Sequence, residues 1–424
     1  MIATIEPGNI AGTIAAPPSK SMTQRAFAAA LLHSGETIIR GAGASGDELA
    51  ALSVIKALGA EVAQGSDGSY KVRGGNITST ATAISCGESG LATRLFTPIA
   101  AISGSPAIIT GAGTLLKRPM TGFAEILPQL GVSLHDFTCY LPLHLQGPLV
   151  PKDITIDASD GSQLLSGLLF AYCKAATQPV AITVSALESK PYIDMTLQVL
   201  GRFGWKVERD GYDRFYIDPA KFASPASVAI DVEGDWSSAA FLLAAGAIAG
   251  EVTVTNIDLR STQADKSIIQ VLQEAGASMS IMDNAITVRC SPLRDFDLDS
   301  TDCPDLFPIA AILAACADGE STIRGVHRLF HKESNRMASI GEMLDSFGVP
   351  YSAAADCLFV SGVPRLRGTV VESFHDHRIA MAAAIGALRA KGRVDITDAE
   401  AVNKSFPRFF DVLTSCGVQC STQP

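Results

Sequence analysis

Phe123-Ala-Glu-Ile-Leu-Pro-Gln-Leu-Gly131 is the stretch that decides the fold, because its pattern recurs along the whole chain. Its apolar residues are spaced i, i+3, i+4 and i+7, which is one face of a helix, and its glycine can adopt the left-handed conformation that ends a helix. Six glycines end such a pattern, at successive spacings of 72, 73, 72, 72 and 69 residues: Gly59, Gly131, Gly204, Gly276, Gly348 and Gly417. This period predicts six copies of one supersecondary unit.

Each unit also contains a second helix pattern, which precedes the first one in the chain. These patterns open with small polar residues that can cap a helix, and they continue into segments rich in Ala, Leu and Ile that are typical of buried helices. The openings lie at 19–21, 86–89, 160–163, 234–237, 302–305 and 375–378. Strand patterns with hairpin turns, as at Asp210-Gly211 and Asp283-Asn284, follow the glycines. The sequence therefore predicts an α/β protein of six units, divided between two domains because six units exceed one hydrophobic core.

The composition argues against several classes of protein. The 424 residues carry a net charge of −10, which is not the footprint of a nucleic-acid-binding protein. Mean hydropathy is +0.25, yet the longest apolar run, near residues 239–249, is too short to span a bilayer. No signal peptide is visible, and nine scattered cysteines without a Cys-x-x-Cys pair indicate free thiols. We therefore expect a cytoplasmic protein.

Cationic side chains gather at the predicted starts of helices in both halves of the chain. Backbone N–H groups and the helix dipole make such positions attractive to anions. The cations are Lys20, Arg25, Arg94 and Arg118 in the first half and Lys332, Arg336, Arg378 and Lys404 in the second. Taken singly, these segments are also explained by helix capping and solvated charge. Taken together, they predict a site for heavily charged anions.

Other polar residues could complete such a site. The candidate acid and base groups are Asp305, Lys332, Glu333 and His377. Ser162-Gln163 and Ser189-Lys190-Pro191-Tyr192 could read hydroxyl groups and stack on a ring, although capping and turn formation also explain them. A metal site built from His327, His331, His375 and His377 is disfavoured, because no metal-binding signature of fixed spacing accompanies these histidines.

At these residues the chain resembles the 5-enolpyruvylshikimate-3-phosphate synthase family, the 3-phosphoshikimate 1-carboxyvinyltransferases of the shikimate pathway. The resemblance covers essentially the whole length and rests on motifs at 19–25, 189–194, 233–238, 304–305, 332–336, 376–378 and 404–407. It implies a two-domain inside-out α/β barrel with six repeated units, three per domain. Residues 19–232 would form the domain that mainly binds shikimate-3-phosphate. Residues 1–18 and 233–424 would form the second domain, which mainly binds phosphoenolpyruvate and carries the acid and base groups, with the active site in the cleft between the two.

The resemblance also implies a reaction. The enolpyruvyl group of phosphoenolpyruvate would pass to the 5-hydroxyl of shikimate-3-phosphate by addition and elimination through a tetrahedral intermediate, and phosphate would be released. Asp305 would accept the hydroxyl proton. Glu333, with Lys332 and Lys20 nearby, would help to protonate the methylene carbon, and His377 would orient the site. No cofactor or metal would be needed.

Substrate-binding residues follow from the same resemblance. Those implied for shikimate-3-phosphate are Lys20, Ser21, Arg25, Ser162, Gln163, Ser189, Tyr192, Asp305, Arg328 and Lys332. Those implied for phosphoenolpyruvate are Lys20, Gly90, Arg118, Gln163, Arg336, Arg378 and Lys404.

The chain departs from the family pattern at a few positions near these residues. Glu88 replaces the usual Asn, Leu91 the usual Thr, and Leu95 the usual Pro. We expect Glu88 either to face away from the phosphate or to pair with an arginine. Arg328 stands where the family usually has an Asn that contacts the shikimate phosphate, and Gly161 stands where a Ser is usual. These changes bear on affinity and glyphosate sensitivity more than on the class of reaction.

Alternative functions differ from this one in features that the sequence shows. UDP-N-acetylglucosamine enolpyruvyl transferases normally have Asn after the lysine and a reactive cysteine in a mobile loop, whereas Ser21 follows Lys20 here and no Cys lies between Cys86 and Cys139. An RNA 3′-terminal phosphate cyclase would have fewer repeats and a basic surface. A catalytically altered relative is the third alternative. The expected partners are the two small-molecule substrates, without nucleic acid or membrane, and we expect a monomer because six units already complete two domains.

Overall fold

The computed structural model describes residues 1–78 and 83–423 and divides into two compact units. Unit A comprises Pro18–Val232, and unit B comprises Met1–Pro17 together with Glu233–Pro424. The first two strands of the chain therefore belong to the same unit as its carboxyl-terminal half. In the described part of the chain, no helix has both the length and the apolar character that crossing a membrane requires.

The described residues form 24 strands. In chain order they are β1 Ile2–Ile5, β2 Ile10–Ala15, β3 Glu36–Arg40, β4 Glu61–Gln64, β5 Tyr70–Arg73, β6 Ala83–Ser85, β7 Pro106–Thr110, β8 Ser133–His135, β9 Leu143–Gln146, β10 Ile154–Asp157, β11 Val180–Ser185, β12 Val207–Asp210, β13 Arg214–Ile217, β14 Ser227–Asp231, β15 Gly250–Thr255, β16 Ser278–Met282, β17 Ala285–Arg289, β18 Asp297–Asp299, β19 Glu320–Arg324, β20 Tyr351–Ala354, β21 Cys357–Ser361, β22 Val370–Glu372, β23 Val394–Thr397 and β24 Cys420–Gln423.

These strands make six four-stranded sheets with one shared plan. Unit A contains the sheets β14-β3-β5-β4, β6-β7-β9-β8 and β10-β11-β13-β12, and unit B contains β2-β15-β17-β16, β18-β19-β21-β20 and β22-β23-β1-β24. In each sheet the first pair is parallel and the other two pairs are antiparallel. The prediction of six repeated α/β units is confirmed. Within the described residues each sheet has two open edges, so the strands themselves close no barrel.

The described residues also form twelve α-helices. They are α1 Lys20–Leu32, α2 Gly46–Ala57, α3 Gly90–Ala100, α4 Thr121–Ile126, α5 Gln163–Ala175 and α6 Lys190–Arg202 in unit A, and α7 Trp236–Ala249, α8 Ile268–Glu274, α9 Phe307–Ala315, α10 Arg336–Phe347, α11 His377–Ala387 and α12 Phe409–Ser415 in unit B. Every residue of α7, α9 and α11 is buried, as their Ala-rich and Ile-rich sequences predict. The odd-numbered helices of unit A, apart from the residues at their amino-terminal ends, are almost as fully enclosed.

The six repeat glycines behave as the sequence predicts. All of them have positive φ values, between 74° and 99°, and each stands just after the second helix of its unit. The hairpins predicted at Asp210-Gly211 and Asp283-Asn284 also form, as β12 with β13 and β16 with β17. The second copy differs in one respect, since α4 ends at Ile126 and a 3-10 turn at Pro128–Leu130 follows, because Pro128 has no N–H to donate to the helix.

Helix starts follow the prediction at four of the six buried helices. Ser19, Ser89, Asp235 and Asp376 accept backbone N–H bonds at the starts of α1, α3, α7 and α11. The prediction was wrong at α5, where the Ser162 side chain makes no capping bond, and at α9. Asp305 lies in a 3-10 turn, Pro304–Leu306, before α9, and its carboxylate bonds to two arginines instead. A carboxylate makes charge-assisted bonds with either partner, but a guanidinium adds a full positive charge of its own.

Candidate functional site

Lys20 opens α1 and is paired with a carboxylate of the neighbouring helix. Its Nζ lies 2.9 Å from Oδ2 of Asp47, and both side chains are largely buried. Asp47 stands in the first turn of α2, whose capping box is formed by Ser45 and Glu48. Lys20 is thus held at a helix start beside Ser21, as the sequence predicts for an anion site. Asp47 was not among the predicted residues.

Arg25 is fully enclosed one turn further along α1, and it joins three helices. Nε donates to Thr196 Oγ1 at 2.9 Å, and the terminal nitrogens donate to the carbonyls of Ser21 and Tyr192 and, at 3.5 Å, to Ser166 Oγ. Burial lowers the pKa of Arg25 to about 10, which still leaves the guanidinium charged at neutral pH. Four of its N–H groups therefore bond to α1, α5 and α6, so its predicted contact with a phosphate would compete with structural bonds.

The starts of α3 and α5 meet at a pair of arginines. Arg94 donates to the carbonyl of Gly90 at 3.3 Å, to Gln163 Oε1 at 3.5 Å and to the carbonyl of Pro119 at 3.2 Å. Arg118 is nine-tenths buried, and its Nη1 would lie only 2.5 Å from a Cβ added at Gly90. The absence of a side chain at Gly90 is what admits this guanidinium. The structure thus brings Gly90, Arg118 and Gln163 together, and it adds Arg94.

The neutral residues predicted in unit A lie at the starts of α5 and α6. Ser162 and Ser189 are buried and stand just before Gln163 and Lys190, the first residues of these helices. Ser189 has a left-handed backbone, with φ of 57°. The Tyr192 ring lies 5.8 Å from the Arg25 guanidinium carbon. These side chains therefore surround the same helix starts as the cations.

The unusual Glu88 is held by the segment that leads to Arg118. Its carboxylate accepts from the backbone N–H and the hydroxyl of Thr114, both at 3.4 Å, and it packs against Gly113. Leu91 and Leu95 are buried in α3, so they act there as core residues. Glu88 therefore ties the start of α3 to the 3-10 segment Gly113–Lys117.

Arg336 is the centre of the cluster in unit B. Its side chain is fully enclosed, and its nitrogens lie 2.9 Å from Asp376 Oδ2, 2.8 Å from Asp305 Oδ1 and 2.6 Å from Glu333 Oε2. Burial works against the charged form, but the three carboxylates outweigh it and raise the pKa of Arg336. Asp376 is also fully enclosed and accepts the N–H of Arg378 at 2.9 Å. The predicted phosphoenolpyruvate ligand Arg336 is therefore surrounded by carboxylates.

Asp305 bridges the two arginines of this cluster. One oxygen accepts from Arg336 and the other lies 2.8 Å from Nη2 of Arg378. Burial would raise the pKa of Asp305, but the charges of Arg378 and Arg336 outweigh burial and hold this pKa well below its usual range. Asp305 is therefore ionised, as a general base must be, but its proton affinity is low while both arginines contact it.

Lys332 and Glu333 precede the helix that carries Arg336. The prediction that a helix starts at Lys332 was wrong, because α10 begins at Arg336, where Asn335 caps it by accepting from Ala338 N–H at 3.3 Å. Burial lowers the pKa of Lys332 to about 7. The charges of Arg328 and Arg336 also lower this pKa, whereas the charge of Asp305 raises it. Lys332 can therefore exchange a proton near neutral pH.

His377 and Lys404 are the remaining predicted residues of unit B, and both are buried. His377 is the first residue of α11, with Nδ1 3.9 Å from Asp376, and Lys404 ends the 3-10 segment Ala399–Lys404. Arg328 is buried in a 3-10 turn and acts on the charge of Lys332. In residues 1–78 and 83–423, no group of three or more His, Cys, Asp or Glu is arranged to hold a metal ion.

Three carboxylates near these cations were missed by the sequence analysis as site residues. Asp47 and Asp376 stand at helix starts, where a capping role hid their pairing with Lys20 and Arg336. Asp265 lies in the 3-10 turn Ala264–Ser267, is fully buried, and interacts electrostatically with Asp305 and Arg378. Nothing in its local sequence indicates this position.

Known proteins resemble this chain along nearly its whole length. A family model described as EPSP synthase (3-phosphoshikimate 1-carboxyvinyltransferase) matches residues 5–413. The 3-phosphoshikimate 1-carboxyvinyltransferase of Thermococcus kodakarensis is 39% identical over 406 residues, covering 95% of this chain and 97% of the relative. The enzyme of the same name from Methanocorpusculum labreanum is 36% identical over 413 residues, with 96% of each chain covered.

A solved structure agrees with these matches. EPSP synthase from Acinetobacter baumannii superposes with a TM-score of 0.81 at 26% identity, covering 99% of this chain and 100% of that one. The six sheets, the clustered cations and these likenesses lead to one assignment. The chain belongs to the EPSP synthase family.

Proposed function

We propose that this protein transfers the enolpyruvyl group of phosphoenolpyruvate to the 5-hydroxyl of shikimate-3-phosphate and releases phosphate. The observation that carries the proposal is the cluster in which Asp305 bridges Arg336 and Arg378 beside Glu333. It provides two cations for an anionic donor, together with a base and an acid at the same place. The names of the relatives favour the shikimate acceptor over a sugar nucleotide.

The cations of the two units serve the two substrates in this proposal. Lys20, Ser21 and the starts of α5 and α6 hold shikimate-3-phosphate, while Arg118, Arg336, Arg378 and Lys404 hold phosphoenolpyruvate. The backbone N–H groups at helix starts favour phosphate and carboxylate groups without any change in their own positions. Arg25 contributes mainly by fixing α1, α5 and α6, because its N–H groups bond to all three.

The reaction consists of an addition followed by an elimination. Glu333, with Lys332 and Lys20, helps to protonate the methylene carbon, which makes the adjacent carbon electrophilic. Lys332 can carry this proton, because its pKa is about 7, whereas Glu333 is paired as a carboxylate with Arg336. The 5-hydroxyl adds to that carbon and gives its proton to Asp305. The tetrahedral intermediate then loses phosphate, and one proton of the new methyl group returns to Lys332, which restores the enol ether. His377 orients the groups around Asp376 and Arg378.

Substrate binding itself would activate Asp305. The pKa of Asp305 is low because burial is outweighed by its contacts with Arg378 and Arg336. The carboxylate and phosphate of phosphoenolpyruvate compete for the same guanidinium groups, and each bond they take from Asp305 raises its proton affinity. The base would thus be strongest when the donor is bound.

Other properties of the proposal concern the state of the protein. We propose that it acts as a monomer in the cytoplasm, without a cofactor, metal, nucleic acid or membrane partner. The six repeats already complete unit A and unit B, which contain three sheets each. A single sedimenting species of 44.3 kDa is expected in analytical ultracentrifugation, whereas a dimer would contradict the monomer.

The deciding experiment measures phosphate release from phosphoenolpyruvate with either shikimate-3-phosphate or UDP-N-acetylglucosamine as the acceptor. Release with shikimate-3-phosphate alone is expected. Asp305→Asn should lower kcat by about 10²- to 10⁴-fold, the usual contribution of a general base. Asp299→Asn is the matched control, because Asp299 is an exposed aspartate of the same unit whose carboxylate accepts from Thr301 within its own turn. Release with the sugar nucleotide alone, or equal effects of the two substitutions, would refute the proposal.

A further inference from the structure

Asp265 is a buried carboxyl group for which the reaction described above has no use. No part of it is exposed, and it lies on a 3-10 turn packed against α7. Oδ2 accepts a short hydrogen bond from the hydroxyl of Ser237 on α7. Among the described residues, Oδ1 has no hydrogen-bond partner. A carboxyl oxygen left in this condition is unusual, because buried polar atoms are nearly always bonded.

The helix that carries Ser237 links Asp265 to the candidate site, because α7 also packs against the 3-10 turn of Asp305 and against α11, whose second residue is Arg378. The charges of Asp305, Arg378 and the α7 cap Asp235 act on Asp265, and its own charge acts on the thiol of Cys303. Burial raises the pKa of Asp265 to about 7 and Asp305 adds to this, whereas Arg378 and the Ser237 hydroxyl oppose it. The carboxyl group therefore changes its charge within the working range of pH.

We propose that Asp265, held by Ser237, is a positioning residue that divides the charge of Arg378 between itself and Asp305. The inference rests on the proposed function, since it concerns the base of that reaction. When Asp265 is neutral, the attraction of Arg378 falls on Asp305 and weakens it as a base. When Asp265 is ionised, Arg378 is shared and the second negative charge increases the proton affinity of Asp305. The enzyme should accordingly become faster as Asp265 loses its proton to solvent.

Asp265→Asn tests this because asparagine keeps the shape and cannot ionise. Its kcat should match that of the wild type within about twofold at pH 6, and fall about tenfold below it at pH 8. A tenfold loss corresponds to a decrease of about one unit in the pKa of Asp305 when the proton is fully transferred in the transition state. A purely structural role would lower kcat by the same factor at both pH values, and that result would overturn the proposal.

Ser237→Ala provides the second variant and tests the contact itself. Removal of a hydroxyl that donates to the charged form should move the rise in kcat to higher pH. In the Asp265→Asn background the same substitution should leave the profile unchanged, because the group that it acts on no longer titrates. A shift in that background would overturn the proposal. Lys332 also titrates near pH 7, but its contribution to the pH profile of kcat should be the same in all three variants.

Glu233→Gln is the matched control. Burial raises the pKa of Glu233 as well, and Ser261 and Gln263 bond to its carboxylate, but the main charges that act on it are those of Asp258 and Asp235. Its profile should follow the wild type. Thermal unfolding of each variant from pH 4 to 8, without substrates, follows the ionisation of Asp265 separately. An inactive wild type would refute the proposed function. This inference would be refuted instead if the unfolding temperatures of Asp265→Asn and Ser237→Ala depended on pH in the same way as that of the wild type.

Discussion

Replacing Asp376 by asparagine should destabilise unit B more than any other single removal of charge in its capping residues. Asp376 is fully buried, and it accepts from Nε of Arg336 at 2.9 Å and from Nη2 at 3.3 Å. It also caps α11 through the N–H of Arg378. Asparagine preserves the size of the side chain and the oxygen that caps α11, so the substitution removes the negative charge beside Arg336 and replaces the oxygen that accepts from Nε by an NH2 group, which cannot accept.

The expected cost follows from the surroundings of Arg336. Loss of one partner from a buried ion pair typically costs 3–5 kcal/mol, because the remaining charge is left without compensation. Asp305 and Glu333 still contact Arg336 at 2.8 and 2.6 Å, so the loss should lie at the lower end. We expect the free energy of unfolding, measured by urea titration, to fall by about 3 kcal/mol.

Asp235→Asn is the matched control for this prediction. Asp235 caps α7 in the same unit by accepting from Ser238 N–H at 2.7 Å, and it forms no ion pair within 4 Å in the described residues. Because asparagine caps about as well as aspartate, its unfolding free energy should change by less than about 1 kcal/mol. Equal losses in the two variants would show that the charge of Asp376 does not stabilise Arg336, and the reasoning would be refuted.

Three further predictions follow from single contacts. Gly90→Ala would place a Cβ 2.5 Å from Arg118 Nη1, so we expect the KM for phosphoenolpyruvate to rise about tenfold. Gly201→Ala is the control and should leave this KM unchanged, because the added Cβ would lie in open space. Arg25→Lys should lower the free energy of unfolding in urea by about 2 kcal/mol, because one ammonium cannot reach three helices, and an unchanged midpoint would contradict this. Asp265 keeps its proton up to about pH 7 in the folded protein, whereas the unfolded chain releases it near pH 4. Between these pH values, the free energy of unfolding of the wild type should therefore fall by about 4 kcal/mol relative to that of Asp265→Asn, which calorimetry can measure.

The repeat and the residues that begin and end its helices could be predicted, because both depend on local sequence. A left-handed glycine after an apolar helix face, or a Ser or Asp before one, is set by a few neighbouring residues, and the six glycines confirm it. The prediction that a helix starts at Lys332 failed for an equally local reason, because the Asn335 side chain caps the helix three residues later. Residue types at helix starts likewise revealed which cations to examine.

The pairing of those cations could not be predicted, because it depends on contacts between distant segments. Asp305 meets Arg378 across 73 positions of sequence, and Arg25 meets Thr196 across 171. Asp265 is the clearest example, since its importance arises only from enclosure and from the charges brought near it. Periodicity shows which face of an element is buried, but it does not show which charges are enclosed together.

These pairings change how substrate binding should be understood. A buried guanidinium needs either a counter-ion or, as at Arg25, several neutral hydrogen-bond acceptors, because desolvation of an uncompensated charge costs several kcal/mol. Asp376, Asp305 and Glu333 fill this role for Arg336. An anionic substrate therefore exchanges one counter-ion for another, and the net gain in binding energy is smaller than the number of cations suggests. The exchange has a chemical consequence, because each carboxylate released from an arginine gains proton affinity at the place where the reaction moves a proton.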